Sequence, residues 1–368
     1  MEIQALAVIG ASTGGLAAVL GYAYWRVSGV MPFLYANSRI HARSNHMLNK
    51  AKTESLVDAK NLGEVINTLQ DTDYGQHIES NSDLRQLHSS IEKGFLESIK
   101  DMRKSSPKSI HSIMDAYLGL WEAKIIKTFY RQRFTQGEEV AKPVDEVIAF
   151  PVGDLDAEKI KHLNETKTIA DLKVVLNNTV YAKAFEEKSE SLEEFEIALD
   201  KIVFEEFVKS VTTAKIQDRE VILDLFNTKF DILNLLVLLK CEARDINEDK
   251  RKRLLIENDS MLFKRADTLV YAKGVKDLVD KCKGLEYYSA LETALGEYEG
   301  DNSLSHFEKE LLKLYMKKVD NQELAHFQGP FPLIAFLVKK ELEQRNLLII
   351  TKGIDSNFSK QEIKELIV

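Results

Sequence analysis

Apolar side chains recur along most of this chain at intervals of three and four residues, the spacing that lines one face of an α-helix. In the stretch VILDLFNTKFDILNLLVLLK, residues 221–240, the apolar stripe leaves little polar surface, which predicts a helix buried among other helices. Only six prolines occur in 368 residues, and breaks such as SSPKS, EYEGDNS and FQGPFP are short. The pattern predicts an all-α protein built from long helices.

The stretch from Ile3 to Trp25 has no charged side chain and predicts an N-terminal transmembrane helix. Twenty-three helical residues extend about 34 Å, and the hydrocarbon core of a bilayer is about 30 Å thick. From Arg26 up to Glu54 every charged residue is basic, which keeps that side of a span in the cytoplasm. We therefore expect a protein of the cell membrane, peripheral or anchored by one span, with its body on the cytoplasmic side.

Two other interpretations of this segment are weaker. The glycines of VIGASTGG suit the turn of a dinucleotide-binding fold, as in a short-chain dehydrogenase, but that fold needs an acidic residue about 20 positions later. Here that region reads VSGVMPFLY, without a carboxylate. A cleaved signal peptide carries its positive end before the apolar run, whereas Arg26 follows it.

Three stretches of the chain align without gaps: LGEVINTLQDTDYGQHIE, ADLKVVLNNTVYAKAFEE and VKDLVDKCKGLEYYSALE. Each has an aliphatic or small apolar residue five positions before a tyrosine and an apolar residue four positions after it. The tyrosines, Tyr74, Tyr181 and Tyr287, are 107 and 106 residues apart. Their setting predicts buried rings with hydroxyls bonded to the backbone.

A second repeated unit alternates with the first: LWEAKIIKTFYR, FDILNLLVLLK and LEQRNLLIITK. Its matching acids are Glu122, Asp231 and Glu343. Because they stand in separate units, we expect a helix cap or a buried ion pair at each, not a catalytic pair. Asn234 and Asn346 lie three residues after their acids, on the same helix face, where the first copy has Ile125.

This period of about 107 residues predicts three similar helical-bundle modules, since it exceeds the usual solenoid repeats and suits small domains. The expected division is an N-terminal anchor at 1–29 followed by modules at 30–140, 141–247 and 248–368. Three similar bundles in one chain suggest a ring-like or curved body.

Composition and motifs offer little chemistry. The formal charge of -8 is spread over mixed-sign faces without a basic stripe for nucleic acid. Cys241 and Cys282 make neither a disulfide framework nor a zinc site. The eight histidines include no i, i+4 pair, and the sequence has no GxSxG, GxxxxGK[ST] or CxxC motif. We expect no catalytic residue, cofactor, metal or small-molecule substrate.

Three segments together resemble a known family: FLYANSRIHARSNHML, FDILNLLVLLK and KKELEQRNLLIITKGIDSNFSKQEIKELIV. With the spacing of the repeats, the likeness covers nearly all of residues 32–368. The chain resembles the C subunit of archaeal and bacterial vacuolar-type rotary ATP synthases, which is equivalent to the d subunit of vacuolar proton pumps.

The resemblance implies three helical domains that form a funnel or socket between the membrane rotor ring, built of K or c subunits, and the central stalk, built of the D and F subunits. Such a protein performs no chemistry and passes torque between ion translocation and ATP synthesis or hydrolysis. Some family members have the soluble body alone, so the segment Ile3 to Trp25 is a departure. The alternative is a membrane-tethered helical scaffold of another complex.

Three residues near the start are candidates for contact with the ring or with lipid head groups: Tyr35, Arg39 and Arg43. Arg39 and Arg43 are i, i+4 on the first helix after the predicted span. The alternative, equally supported, is an internal salt bridge to an acid of the modules.

Overall fold

The computed structural model describes residues 21, 24, 27–136, 150–186 and 191–368. Within these ranges it has sixteen α-helices with both ends defined, five short 3₁₀-helices and no β-strand, which confirms the all-α prediction. The α-helices are α1 (Leu34–Ser44), α2 (Lys50–Asp58), α3 (Leu62–Leu69), α4 (Leu84–Ser105), α5 (His111–Gln136), α6 (Ala157–Glu165), α7 (Ile169–Leu176), α8 (Leu192–Thr213), α9 (Arg219–Ala243), α10 (Glu248–Arg253), α11 (Ala266–Leu269), α12 (Val275–Lys281), α13 (Tyr288–Asp301), α14 (Ser305–Ala325), α15 (Phe331–Asp355) and α16 (Lys360–Leu366).

The predicted transmembrane segment, Ile3 to Trp25, lies almost entirely outside the described residues. Among the residues that the structure describes, no helix has both the length and the apolar character to cross a membrane. The division into an anchor and three modules therefore stays a prediction.

Local sequence fixes where many of these helices begin. Helix α4 starts with a capping box in which Asp83 and Gln86 satisfy each other's backbone N–H groups, and Thr168 with Asp171 does the same at α7. Asn61 caps α3 through the backbone N–H of Glu64. These caps place α3 and α7 just before the repeated tyrosines Tyr74 and Tyr181.

The long helices carry the core. We call α5, α9 and α15 the acid helices, because they bear Glu122, Asp231 and Glu343. Helix α5 packs on α8 and α9 packs on α14, so that each of these acid helices contacts a long helix further along the chain. The last acid helix, α15, packs on α4 near the start of the chain. The two ends of the described chain are thus joined through buried helices.

A close approach of backbone next to Tyr74 leads to a stability prediction. A Cβ added at Gly75 would lie 2.7 Å from the carbonyl carbon of Gln70, so Gly75→Ala must shift backbone. We expect a loss of about 1–3 kcal/mol in the free energy of unfolding, measured by urea titration. The matched control is Gly296→Ala in α13, where an added Cβ meets nothing within 4 Å. An equal loss in both variants would contradict the steric explanation.

Candidate functional site: a central cavity and the contacts that frame it

The clearest of the repeated contacts joins Asp231 to Tyr287. The Asp231 carboxylate accepts hydrogen bonds from the Tyr287 hydroxyl at 2.8 Å, Ser260 Oγ at 2.7 Å and Asn258 Nδ2 at 2.8 Å. Burial raises the pKa of Asp231, and the three donors oppose that rise. Sequence reasoning assigned the tyrosine hydroxyl to the backbone, whereas here it bonds to the repeated acid.

A second contact places Tyr181 beside Glu122. The Tyr181 hydroxyl donates to the Gly119 carbonyl at 3.3 Å, and the Glu122 carboxylate next to it accepts the backbone N–H of Asp154 at 2.8 Å. Burial raises the pKa of Glu122 to about 7. Burial, followed by the nearby Glu122 carboxylate, raises the pKa of Tyr181.

The third contact brings Tyr74 against Glu343, 269 positions further along the chain. Between them lies Lys340, whose side chain has no exposed surface. Its ammonium pairs with Glu343 Oε1 at 2.8 Å and with Asp73 Oδ2 at 3.5 Å, and it lies 4.5 Å from the centre of the Tyr74 ring. Among the described residues the Tyr74 hydroxyl has no hydrogen-bond partner. The Lys340 ammonium over the Tyr74 ring therefore makes the contact between Tyr74 and Glu343.

The three contacts follow one rule. Tyr181 and Tyr287 each meet the acid that precedes them in the chain, and Tyr74, which has no earlier acid, meets the last one, Glu343. The partners therefore lie across the divisions at 140, 247 and the chain ends that the sequence suggested. The repeated spacing indicated which residues correspond, but the spacing did not specify which tyrosine pairs with which acid.

Two of the acid helices also hold a distant backbone segment through an asparagine. Asn234 donates to the Ile256 carbonyl at 2.8 Å and accepts the Ile256 N–H at 2.8 Å. Asn346 donates to the Val368 carbonyl and accepts the Val368 N–H at 3.3 Å. Both partners lie 22 residues after the asparagine. The first copy has buried Ile125 at this position.

The Asn234 pair makes a second prediction possible. In Asn234→Leu, the buried N–H and C=O of Ile256 lose their partners. We therefore expect the free energy of unfolding to fall by about 2–4 kcal/mol relative to the wild type. The change is measured by urea titration. Asn178, which is exposed, is the control position, and Asn178→Leu is expected to stay within about 0.5 kcal/mol of the wild type. A loss no larger than that of the control would show that the two hydrogen bonds contribute little.

All three acid helices meet at a partly buried polar cluster. Lys229 Nζ of α9 pairs with Glu341 Oε1 of α15 at 2.7 Å, and Tyr117 of α5 donates its hydroxyl to the same carboxylate. The Lys229 ammonium also lies 5.3 Å from the centre of the Tyr117 ring. Lys229 and Glu341 each stand two residues before a repeated acid, so equivalent positions of two helices carry opposite charges.

Lys229 and Glu341 also line a cavity of about 870 Å³, to which the three acid helices and α14 contribute. Its wall is mainly apolar, with Leu120 from α5, Leu236 from α9 and Ile349 from α15. Lys124 and Lys352 also line it, and both have exposed side chains. The residues of α15 that line the cavity run from Val338 to Gly353, toward the C-terminal end of that helix. The lining of each acid helix begins about two turns or more after its first residue, so the N-terminal ends of these helices do not line the cavity.

The N-terminal ends of α9 and α15 form a different surface, which we call the turn end: the turns at 106–110, 214–218 and 326–330, with residues 27–44 packed beside them. Asn37 of α1 donates its amide to the carbonyls of Gln328 and Gly329 at 3.2 and 3.0 Å. His326 and Asp218 join two of the turns at 2.8 Å. Helix α1 then reaches α4, where Arg43 pairs with Asp101 at 2.9 Å.

The three candidates for contact with the ring or lipid, Tyr35, Arg39 and Arg43, differ in their surroundings. Arg43 has the internal salt bridge to Asp101, and its Nη1 also donates to the Ser98 carbonyl at 3.2 Å. Tyr35 and Arg39 are exposed. Tyr35 is 64% exposed and adjoins other exposed apolar side chains that the sequence analysis did not single out.

Comparison with known proteins identifies the family of this chain. The family model for the ATP synthase (C/AC39) subunit matches residues 36–366, so the chain belongs to this family, which confirms the resemblance to the C or d subunit of A/V-type ATP synthases.

Similar proteins include the C subunits of A-type ATP synthases from several archaea. The one from Methanocaldococcus jannaschii is 29% identical over 93% of this chain and 88% of the relative. The one from Pyrococcus abyssi is 23% identical over 94% and 92% of the two chains. The alignment with the protein of Pyrococcus furiosus, at 22% identity, spans 100% of this chain and 99% of that protein, so it includes the N-terminal apolar segment.

Proposed function

We propose that this chain is the central rotor subunit that links the membrane rotor ring to the central stalk of an A/V-type ATP synthase. In this role it performs no chemistry and transmits torque between ion translocation and ATP synthesis or hydrolysis. The ring of K or c subunits is its partner at the turn end, and the foot of the stalk, built of the D and F subunits, enters the cavity.

The observation that carries this proposal is that the two ends of the body differ. The cavity has a mainly apolar wall contributed by the three acid helices and α14, and it suits the end of a protein helix. The turn end exposes apolar side chains and lies next to the uncharged N-terminal sequence. A spacer between a membrane ring and a shaft needs one such surface at each end.

A body that transmits torque must also resist opening. The contact of Tyr74 and Lys340 with Glu343 ties the first helices to the last one, and α15 packs on α4 beside it. We infer that three equivalent modules close into a funnel, with Tyr74, Tyr181 and Tyr287 at the seams. Because packed interiors deform little, such closure would let torque pass from end to end.

The predicted membrane attachment completes the proposal. Residues 3–25 would insert into or beside the ring and hold the body at the cytoplasmic face of the cell membrane. Deleting residues 1–29 is expected to release the protein from membranes in high salt. Unchanged retention of the truncated chain would contradict this part of the proposal.

The proposed binding of the stalk foot in the cavity is tested by Leu236→Arg in the assembled complex. An arginine in the apolar wall should exclude the stalk foot, so recovery of stalk subunits with the tagged chain should fall at least about tenfold, equal to about 1.4 kcal/mol, while recovery of the ring persists. The control is Val174→Arg, at a residue that is 76% exposed.

Thermal unfolding of both variants shows whether the loss of stalk subunits comes from a blocked cavity or from an unfolded chain. Full recovery of the stalk with folded Leu236→Arg would show that the stalk does not bind in the cavity.

A further inference from the structure

The turn end carries an exposed apolar surface that the core does not use. Its members are exposed by half or more: Val27 55%, Met31 64%, Leu34 51%, Tyr35 64%, Leu324 78% and Phe327 57%. We call these six residues the apolar patch. Exposed apolar side chains that occur singly are ordinary, but a group of this size marks an interaction surface.

Backbone contacts hold the two halves of the patch together. Asn37, three residues after Leu34 and therefore on the same helix face, donates its amide to the carbonyls of Phe327 at 3.4 Å and Gly329 at 3.0 Å. A Cβ added at Gly29 would lie 2.8 Å from Gln217 Cδ, so residue 29 lies close to the second turn. The patch is therefore supported by partly buried contacts of Gly29 and Asn37 with the second and third turns.

Exposed basic residues border the patch. Arg39 lies on α1, Lys108 in the first turn, and Lys215 and Arg219 at the second. Three acids at this end have partners, since Asp218 pairs with His326, Asp101 with Arg43 and Asp115 with Arg103, and Glu220 is exposed beside Arg219. The surface combines aromatic and aliphatic side chains with basic ones, the combination that binds at the head-group level of an anionic bilayer.

We propose that the apolar patch contacts lipid, with its side chains at the boundary of head groups and acyl chains. The occupant follows from the sequence, because the patch begins two residues after Trp25, where the 23-residue uncharged stretch ends. A segment suited to a bilayer and a patch joined to it reach the same membrane surface. This inference rests on the proposed function, since it adds a lipid contact at the end assigned to the ring.

The experiment places an environment-sensitive label on the full-length chain by Phe327→Cys and measures quenching by lipid-borne nitroxides in vesicles of phosphatidylcholine and phosphatidylglycerol. Native Cys241 and Cys282 are buried, so labelling is selective. The control is Tyr271→Cys, at a residue that is 61% exposed and lies near the other end of α9, where Arg251 binds the carbonyls of Val270 and Ala272 and pairs with Glu242. That helix of 25 residues separates the two sites by about 35 Å.

We expect the label at 327 to lose about half of its fluorescence and the label at 271 to lose none, because only a shallow patch lies within about 10 Å of the acyl boundary. Adding Leu34→Glu to the labelled chain should abolish the quenching. Vesicle-bound chain without quenching at 327, or with equal quenching at both positions, would overturn the lipid contact.

Recovery of the ring with the tagged chain is measured separately. A chain that copurifies with the ring but shows no quenching at 327 refutes this inference alone. A chain whose patch is quenched but which never copurifies with ring or stalk supports the lipid contact and contradicts the proposed function.

Discussion

Replacing Lys340 with methionine is expected to lower the free energy of unfolding by about 3–5 kcal/mol, because it leaves the buried Glu343 carboxylate without its cation. The variant also loses the ammonium that lies over the Tyr74 ring. Since these groups join the segment after α3 to α15, the loss should appear as faster exchange of amide hydrogens in α3 and α15. Urea titration with hydrogen exchange measures both effects.

The control for Lys340 is a lysine in an exposed pair. Lys360 bonds to Asp58 at 2.8 Å with both side chains more than half exposed, so Lys360→Met should lower the free energy of unfolding far less than Lys340→Met does. The double variant Lys340→Met with Glu343→Leu removes both charges and should recover part of the loss. If Lys340→Met lowers the free energy of unfolding no more than Lys360→Met does, the contact between the Tyr74 segment and α15 does not depend on the buried ion pair.

Glu122 is expected to make the protein less stable as pH rises from about 4.5 to about 7. Burial raises the pKa of this carboxyl from 4.5 to about 7, so the folded chain holds its proton more tightly than the unfolded chain does. That contribution is present below the unfolded pKa and is lost as pH passes through the folded pKa. A difference of 2.5 pKa units corresponds to about 3 kcal/mol.

The measurement compares the wild type with Glu122→Gln, which cannot titrate, by urea titration at several pH values. The difference in unfolding free energy between the two proteins should change by about 3 kcal/mol across this range. The comparison isolates Glu122 from Asp231, whose pKa is also raised. Glu79→Gln, at an exposed position, should keep the wild-type pH dependence. A constant difference between the wild type and Glu122→Gln would contradict the assignment.

The sequence was sufficient for the fold class because helix periodicity and capping are local. Boxes such as Asp83 with Gln86 lie within a few residues, so the chain can be read one helix at a time. The packing of α15 on α4 cannot be predicted from local sequence in this way. It depends on two surfaces separated by most of the chain, and a repeat period gives the equivalence of positions without their partners.

The site shows the same limit at particular residues. The acids and tyrosines were recognisable from their spacing, but Lys340 was missed because a lysine on a polar-looking helix is usually exposed. A signal did exist for the central cluster: Lys229 and Glu341 are opposite charges two residues before equivalent acids. The apolar patch could not be predicted, since the exposure of Leu324 and Phe327 depends on how the helices pack and not on the local sequence.

The most direct test of the rotor assignment is a cross-linking map of the intact complex, made with an amine-reactive reagent. Lys124 and Lys352 line the cavity with exposed side chains, whereas Lys108 and Lys215 are exposed at the turn end. Our account predicts that Lys124 and Lys352 link to the stalk subunits and that Lys108 and Lys215 do not. Links from the stalk to Lys108 or Lys215, or from Lys124 and Lys352 to stationary subunits, would contradict it.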